Sequence, residues 1–241
     1  MTEVLALFCG GPAIYDDGAP KPLRRVGDAT LIERYLRHGL TRQVDAVVLL
    51  CDASYASAFA TIATQASVPT TISSTPDGAS TFERARHFLD EAELAPDAVV
   101  HFTYPDVFTS SPVDLPSDVD LSRRLLISTT TLTSRFPRFF VDPYTNAIRG
   151  ISVHTSQVPA NPIHIFGGDV FGHAALLDGL LGRFVAATDN PQPMLEADFF
   201  AWAINESLAE SLPLYAAWQQ IDSPADITAL VNRIGRSSVT E

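Results

Sequence analysis

The chain has 241 residues, of which 46% are hydrophobic, and this is enough for the core of an α/β domain. Its formal net charge is −12, from 28 acidic and 16 basic residues, and an acidic surface argues against nucleic acid as a partner. The sequence shows no run of membrane-spanning length and no basic signal segment, so we expect a cytoplasmic protein that does not bind membranes.

The first half of the chain alternates apolar runs with helical segments. Three continuous apolar runs are typical of strands buried on both faces of a parallel sheet. They cover residues 4–9, 46–51 and 98–103. We expect these strands to be neighbours, because right-handed βαβ crossovers are the usual connection. Helices are predicted between them, beginning at the capping boxes Thr30 with Glu33 and Ser80 with Glu83.

The second half of the chain continues the same alternation. Strands are predicted over 125–132, 163–171 and 214–221, a hairpin over 139–153, and helices over 174–181 and 196–211. Ser223, Pro224 and Asp226 predict the start of a final helix. Cys9 and Cys51 end apolar runs without metal-ligand spacing, which predicts buried free thiols. The pattern indicates a single α/β domain over 1–241 with a mostly parallel central sheet.

The loop after the first strand carries the first candidate site. Gly10 and Gly11 follow the strand directly, where glycine lets backbone N–H groups approach an anion. Lys21 lies between Pro20 and Pro22, which restrict where its ammonium can point. This arrangement suits a triphosphate clamp. By composition alone, an ordinary strand-to-helix loop with a solvated lysine is the better interpretation, because two glycines are a weak signal.

Two aspartates form the second candidate site. Asp106 and Asp222 each follow an apolar run, and ligands of open α/β sheets bind at the carboxyl ends of the strands. Together the two carboxylates suit Mg²⁺, which takes one or two carboxylates plus phosphate oxygens. Each also has a structural interpretation, a turn-forming role for Asp106 and a helix-capping role for Asp222.

These segments resemble the sugar-1-phosphate nucleotidyltransferases, in particular glucose-1-phosphate cytidylyltransferase-like proteins. The run from Gly10-Gly11 through Pro20-Lys21-Pro22 to Leu31-Ile32-Glu33 is similar to the family's N-terminal signature. Residues 98–106 resemble the strand that ends in its metal-binding aspartate. Residues 218–226 resemble the segment that supplies the second metal ligand, and residues 165–171 resemble the strand with a sugar contact.

The resemblance implies a three-layer, Rossmann-like nucleotidyltransferase domain. It would transfer a nucleoside monophosphate from a nucleoside triphosphate to a sugar 1-phosphate or another small phosphate or phosphonate, with Mg²⁺ held by Asp106 and Asp222. Lys21, Asp106 and Asp222 would be catalytic, and the segment 102–106 favours CMP. A homo-oligomer is compatible with the sequence. The implied nucleotide-binding residues are Gly10, Gly11, Lys21, Arg25, Asp77 and Gly78.

Two departures from the family pattern keep other interpretations open. The loop after Gly11 has no arginine, unless Arg24 or Arg25 replaces it, and residues 156–159 lack the lysine expected for the sugar phosphate. The chain is therefore also interpretable as a weakened homologue that binds nucleotide or a partner subunit, or as a transferase with an acceptor other than a sugar phosphate. A glycosyltransferase would be expected to show an Asp-x-Asp motif, and residues 104–107 do not provide one.

Overall fold

The apolar runs and capped segments become alternating strands and helices. This computed structural model describes residues 2–10, 19–39, 43–109, 113–116, 119–130, 138–142, 146–152, 164–214, 218–221, 223 and 225–229. The strands are β1 (Glu3–Phe8), β2 (Arg25–Val26), β3 (Ala29–Thr30), β4 (Ala46–Asp52), β5 (Thr70–Thr75), β6 (Val99–Thr103), β7 (Val107–Thr109), β8 (Leu125–Thr130), β9 (Arg138–Val141), β10 (Ile148–Ser152), β11 (His164–His173), β12 (Ala209–Pro213) and β13 (Trp218–Gln220). The α-helices are α1 (Leu31–Arg34), α2 (Ala56–Ala63), α3 (Thr81–Glu91), α4 (Ala174–Ala187) and α5 (Phe200–Asn205).

Nine of the strands in the described residues form the main sheet. Its order is β10-β9-β11-β6-β1-β4-β5. β11 also pairs with β8, and β8 pairs in turn with β12. β1 pairs in parallel with β4 and β6, which confirms that the first three apolar runs are neighbouring strands. β11 is antiparallel to both β6 and β8, so β8 and β12 run in the direction of β1. The expected mostly parallel sheet is confirmed.

Side chains of β1 alternate between two apolar layers. Ala6 and Phe8 lie in the larger cluster, with residues of α3, α4 and α5. Leu7 lies in the opposite cluster, with Ile32 of α1 and Phe59 of α2. A strand with apolar residues on both faces requires helices on both sides, because either face alone would expose its side chains to water. The three-layer α/β architecture is confirmed.

Both cysteines are buried free thiols, as predicted. Burial raises the pKa of the Cys51 thiol to about 11. Burial, with a contribution from nearby Cys51 and Asp106, also raises the pKa of Cys9 well above its usual value. Thiols held in this form are poor nucleophiles at neutral pH, so the two cysteines have a packing role.

The predicted helix starts and hairpin agree with the structure. Thr30 with Glu33, and Ser80 with Glu83, form reciprocal capping boxes at α1 and α3. After Arg34 the chain continues as a π-helical segment over Tyr35–Gly39. β9 and β10 form the expected antiparallel hairpin, and Asn146 precedes β10 with a φ of 55°. Of the helices in the described ranges, none has both the length and the apolar character that a membrane crossing needs.

The prediction of one helix over 196–211 is wrong. A π-helical segment at Leu195–Phe199 leads into α5, which ends at Asn205, and the chain then enters β12, parallel to β8. Ser207 ends the helix with a φ of 59°, donating to the Ile204 carbonyl at 3.0 Å, while Leu208 donates to the Ala203 carbonyl at 2.8 Å. This is a Schellman-type end with serine in the place that glycine usually takes.

The strand predicted over 214–221 also differs in the structure, in its length and in its partner. β13 covers only Trp218–Gln220 and pairs with β7 in a separate two-stranded antiparallel sheet, so it is not a parallel strand of the main sheet. The predicted start of the final helix is supported by Ser223, whose hydroxyl accepts from the Asp226 amide at 3.3 Å. Pro224 lies outside the described residues.

Candidate functional site

Two residues singled out in the sequence meet at the carboxyl edge of the sheet. Lys21 begins a short 3₁₀ turn, with Pro22 fixing the next backbone angle. Asp106 follows β6 and is only 6% exposed. The Lys21 ammonium lies 2.5 Å from Asp106 Oδ2, although 85 residues separate the two in the chain. The structure thus places a rigidly presented cation and a buried carboxylate at one point of this edge.

Asp222 itself lies outside the described residues, but the chain directly before it can be placed. Ile221 is fully buried, and its N–H donates to the carbonyl oxygen of Asp106 at 2.9 Å. The two segments that carry the candidate metal ligands therefore run side by side. Their contact comes from the small antiparallel β7–β13 sheet and not from neighbouring strands of the main sheet.

The remaining candidates in the first loop are only partly described. Gly10 follows β1 and borders a cleft, whereas Gly11 lies outside the described residues. Arg25 is exposed in β2, and its guanidinium donates to the carbonyl of Asp28 at 2.8 Å, within the β2–β3 turn. Arg25 makes no described contact with Lys21 or Asp106.

A cleft of about 420 Å³ opens at the ends of β1, β4 and β5. These strands are adjacent and parallel, so the residues that follow them reach the same edge of the sheet. A cleft of this size is in the range that holds small ligands. Its lining residues are Gly10, Asp52, Gly78, Ala79, Ser80, Thr81, Glu83, Arg84, Gln192 and Met194.

Arg84 is a site residue that the sequence analysis missed. It is 2% exposed, and its guanidinium donates to Asp52 at 2.7 Å, to the Thr75 hydroxyl at 3.0 Å and to the Ala79 carbonyl at 2.9 Å. A methyl group at Gly10 would lie 2.3 Å from Arg84 Cζ. The sequence did carry a signal for Arg84. Position 84 lies one helical turn before the core residue Phe88, on the same buried face of α3, and a charged side chain on that face needs a buried partner.

Asp77 and Gly78 serve to anchor the turn after β5. The Gly78 N–H donates to Asp52 Oδ1 at 3.0 Å, and the Ser54 N–H donates to Asp77 Oδ1 at 3.0 Å. Gly78 has a φ of 83°, a conformation that favours glycine. Gly78 lines the cleft, whereas Asp77 is not among its described lining residues.

Behind the edge of the sheet lies a buried polar network on β6, β8 and β11. The ring of His101 bonds through Nε2 to Asp169 Oδ1 at 2.8 Å, and the Ser128 hydroxyl donates to Asp169 Oδ2 at 3.0 Å. The β8 pairing of β11 shifts register between Phe166 and Val170, around Gly168, whose backbone approaches Val107. The network therefore supports the segment next to Asp106, in agreement with a structural interpretation of His101.

A half-buried carboxyl lies on the other side of Tyr104. Glu196 accepts from the Tyr104 hydroxyl and, at 2.8 Å, from the Thr81 hydroxyl. Burial raises the pKa of Glu196 above its usual value. Thr81 lines the cleft and Tyr104 lies two residues before Asp106, so this carboxyl connects the cleft with the candidate catalytic edge.

Comparison with solved structures places this arrangement in a known fold. The inositol-1-phosphate CTP transferase from T. maritima aligns with a TM-score of 0.76 at 13% identity, over 97% of this chain and 96% of its own. A putative glucose-1-phosphate thymidylyltransferase from Bacillus anthracis aligns with a TM-score of 0.73 at 9% identity, over 98% and 96%. The UTP-bound UGPase from Acinetobacter baumannii aligns with a TM-score of 0.68 at 15% identity, over 98% and 94%.

The chain shares its fold with these three proteins. At identities this low the likeness establishes the fold alone. No protein-family model matches the sequence, and no curated protein matches it either. The function must therefore be argued from the site.

Proposed function

We propose that this protein is a nucleotidyltransferase. It transfers a nucleoside monophosphate from a nucleoside triphosphate to a sugar 1-phosphate or another small phosphate or phosphonate, and pyrophosphate leaves. Of the nucleoside monophosphates, CMP is the preferred candidate. The observation that carries the proposal is the 2.5 Å contact between Lys21 and Asp106 at the carboxyl edge of the sheet. The motifs that suggested a clamp and a metal ligand are distant in sequence, and they meet where an α/β sheet binds ligands.

The residues at this edge fit a Mg²⁺ ion. Asp106 offers a hard carboxylate oxygen, and the Ile221 N–H donates to the Asp106 carbonyl, so the chain lies against Asp106 one residue before the candidate ligand Asp222. One or two carboxylates plus phosphate oxygens are the usual protein ligands of Mg²⁺. In the proposed enzyme Asp106 and Asp222 hold the ion, which neutralises charge on the phosphates when bound.

The protein contributes mainly position and charge to the proposed reaction. The acceptor phosphate is already anionic, so its oxygen can attack the α-phosphorus without a general base. Lys21 is held by its 3₁₀ turn and binds phosphate oxygens of the triphosphate. Gly10 and the cleft beside it receive the nucleoside. Fixing both reactants in line accounts for most of the rate gain in this type of chemistry.

A nucleotide-binding homologue without turnover is the second candidate. It is favoured by the Lys21–Asp106 contact itself, in which the ammonium and the carboxylate neutralise each other. The loop lacks an arginine that would add positive charge. In this alternative, nucleotide binds in the cleft and the protein acts on a partner subunit.

Release of pyrophosphate separates the two candidates. Purified protein is incubated with Mg²⁺, each nucleoside triphosphate and a panel of phosphorylated acceptors. We expect acceptor-dependent release for at least one combination, and its loss in Asp106→Asn and Asp222→Asn. Binding of nucleotide without any release would favour the homologue without turnover.

Lys21→Ala tests the phosphate clamp. We expect triphosphate affinity to fall roughly ten- to hundred-fold, the usual loss for a charge-assisted contact, as measured by calorimetric titration. The variant removes the Lys21 ammonium from the buried Asp106, so binding is measured at a temperature at which the variant is folded. The control is Arg124→Ala, since Arg124 is exposed and pairs with Glu210, away from the site. Equal affinities of wild type and Lys21→Ala would refute the clamp.

A further inference from the structure

The wall of the cleft offers hydrogen-bond acceptors to a ligand. Asp52 ends β4, lines the cleft and is only 7% exposed. Its Oδ1 atom accepts from the Arg84 guanidinium at 2.7 Å and from the Gly78 N–H at 3.0 Å. These two bonds fix the orientation of the carboxylate.

The second carboxylate oxygen of Asp52, Oδ2, is available to a ligand. Asp52 Oδ2 makes no described hydrogen bond. A fully buried oxygen in that position would be a buried polar atom without a partner, and Oδ2 is not one of these among the described residues, so it is in contact with solvent. Since Asp52 is more than nine-tenths buried and lines the cleft, that opening faces the cleft. A fixed carboxylate oxygen in a narrow space calls for an N–H or O–H donor on the ligand.

The neighbouring polar groups reinforce this acceptor character. The described bonds of the Arg84 guanidinium go to protein groups, Asp52, Thr75 and the Ala79 carbonyl, so its charge is matched within the protein. The Thr81 hydroxyl donates to Glu196. Glu83, a second carboxylate of the lining, binds the Ser80 N–H through Oε2 and holds the entry of α3 in place.

We infer that the cleft selects nucleobases with an exocyclic amino group, and that Asp52 is the residue that reads it. This inference rests on the proposed function, which places the nucleoside beside Gly10. Cytosine, adenine and guanine carry an amino donor, whereas uracil and thymine present a carbonyl oxygen in its place. A carbonyl oxygen facing Asp52 Oδ2 would set two acceptors against each other and leave Oδ2 without a donor, so keto pyrimidines bind more weakly.

Matched pairs of nucleotides test the inference in the wild-type protein. CTP is compared with UTP, and ATP with ITP, because each pair exchanges the amino donor for a carbonyl oxygen. The adjacent ring nitrogen changes at the same time from an acceptor to an N–H donor, so the assignment to Asp52 needs the variant described next. Dissociation constants are measured by calorimetric titration with Mg²⁺ present. We expect the amino member of the pair that binds to be favoured roughly ten- to hundred-fold.

Asp52→Asn makes the assignment specific. Asparagine keeps an oxygen for Arg84 and Gly78 and turns an N–H₂ group toward the cleft, so the acceptor becomes a donor. The preference should shrink at least tenfold, with UTP gaining on CTP. The control is Asp45→Asn, which changes an aspartate at the opposite end of β4 that also accepts a backbone N–H, from Glu3. The control should keep the wild-type preference.

The outcomes separate this inference from the proposed function. If the wild type binds nucleotides but treats CTP and UTP, or ATP and ITP, alike, the base preference is wrong and the proposed function stands. The assignment to Asp52 is also wrong if folded Asp52→Asn keeps the wild-type preference. If no nucleoside triphosphate binds the wild type, both proposals fail. If Asp52→Asn does not fold, the nucleotide pairs with wild-type protein still decide the preference.

Discussion

Gly10 has no side chain at the point where Arg84 approaches the end of β1. A methyl group there would lie 2.3 Å from Arg84 Cζ, and the guanidinium cannot move without losing its bonds to Asp52 and Thr75. We therefore expect Gly10→Ala to lower the free energy of unfolding by about 1–3 kcal/mol, the usual effect of overpacking. Urea denaturation of wild type and variant measures the difference.

The matched control is Gly182→Ala in α4. Nothing lies within 4 Å of a methyl group at Gly182, and alanine favours helix, so this variant should gain up to about 1 kcal/mol. Similar losses in both variants would mean that the effect at Gly10 does not arise from Arg84. The pair of variants therefore separates the local contact from the general cost of replacing a glycine.

The sequence predicts individual site residues where a motif is local, and less well where a partner is distant. Lys21 is marked by its two prolines and Asp106 by the apolar run before it, and the structure places them together. Arg84 was missed because its partner Asp52 is 32 residues away. Nothing local in the sequence shows that Asp52 accepts bonds from both Arg84 and the turn at Gly78.

Secondary-structure elements follow the sequence closely where apolar runs and caps are strong. The first three buried strands, both capping boxes and the β9–β10 hairpin were predicted. The boundary between α5 and β12 was not, because no glycine or proline lies between residues 196 and 211. There the tertiary pairing of β12 with β8 overrides the helix-favouring sequence.

Ser207, at the end of α5, gives an element-scale prediction. It is exposed and has a φ of 59°, in the left-handed region that non-glycine residues adopt at a cost. We expect Ser207→Gly to raise the free energy of unfolding by up to about 1 kcal/mol, as measured by urea denaturation. Ser207→Ala keeps the Cβ atom and should bring no gain. If the glycine variant is the less stable of the two, the added freedom of the unfolded chain outweighs the relief of strain.

On the scale of the whole molecule, the half-buried carboxyl of Glu196 makes stability depend on pH. Burial raises its pKa, so the folded state binds this proton more tightly than the unfolded state does. The free energy of unfolding therefore falls as pH rises from the ordinary glutamate range through the folded-state pKa, and the loss is complete above it.

Glu196→Gln tests this pH dependence. Tyr104 and Thr81 donate to different oxygens of Glu196, so glutamine keeps an acceptor for one hydroxyl and turns an N–H₂ group toward the other. Because glutamine cannot ionise, the variant should gain stability relative to wild type at about pH 8 and lose that advantage toward about pH 4. Urea denaturation at a series of pH values measures the difference. The control, Glu206→Gln, removes a carboxyl from an exposed turn after α5. A Glu196→Gln curve that runs parallel to wild type at every pH would contradict the role of Glu196.

The late position of the antiparallel strand β11 in the chain has a consequence for its synthesis. β1, β4, β5 and β6 can pair as soon as residue 103 has emerged, because each finds its neighbours within this group. β8 is buried along its whole length, yet its partners among the described strands, β11 and β12, both come later. At about 5–20 residues per second, this apolar strand stays exposed for seconds on a growing chain. During the interval between β8 and β11, the apolar residues Leu125, Leu126 and Ile127 are therefore available to a ribosome-associated chaperone.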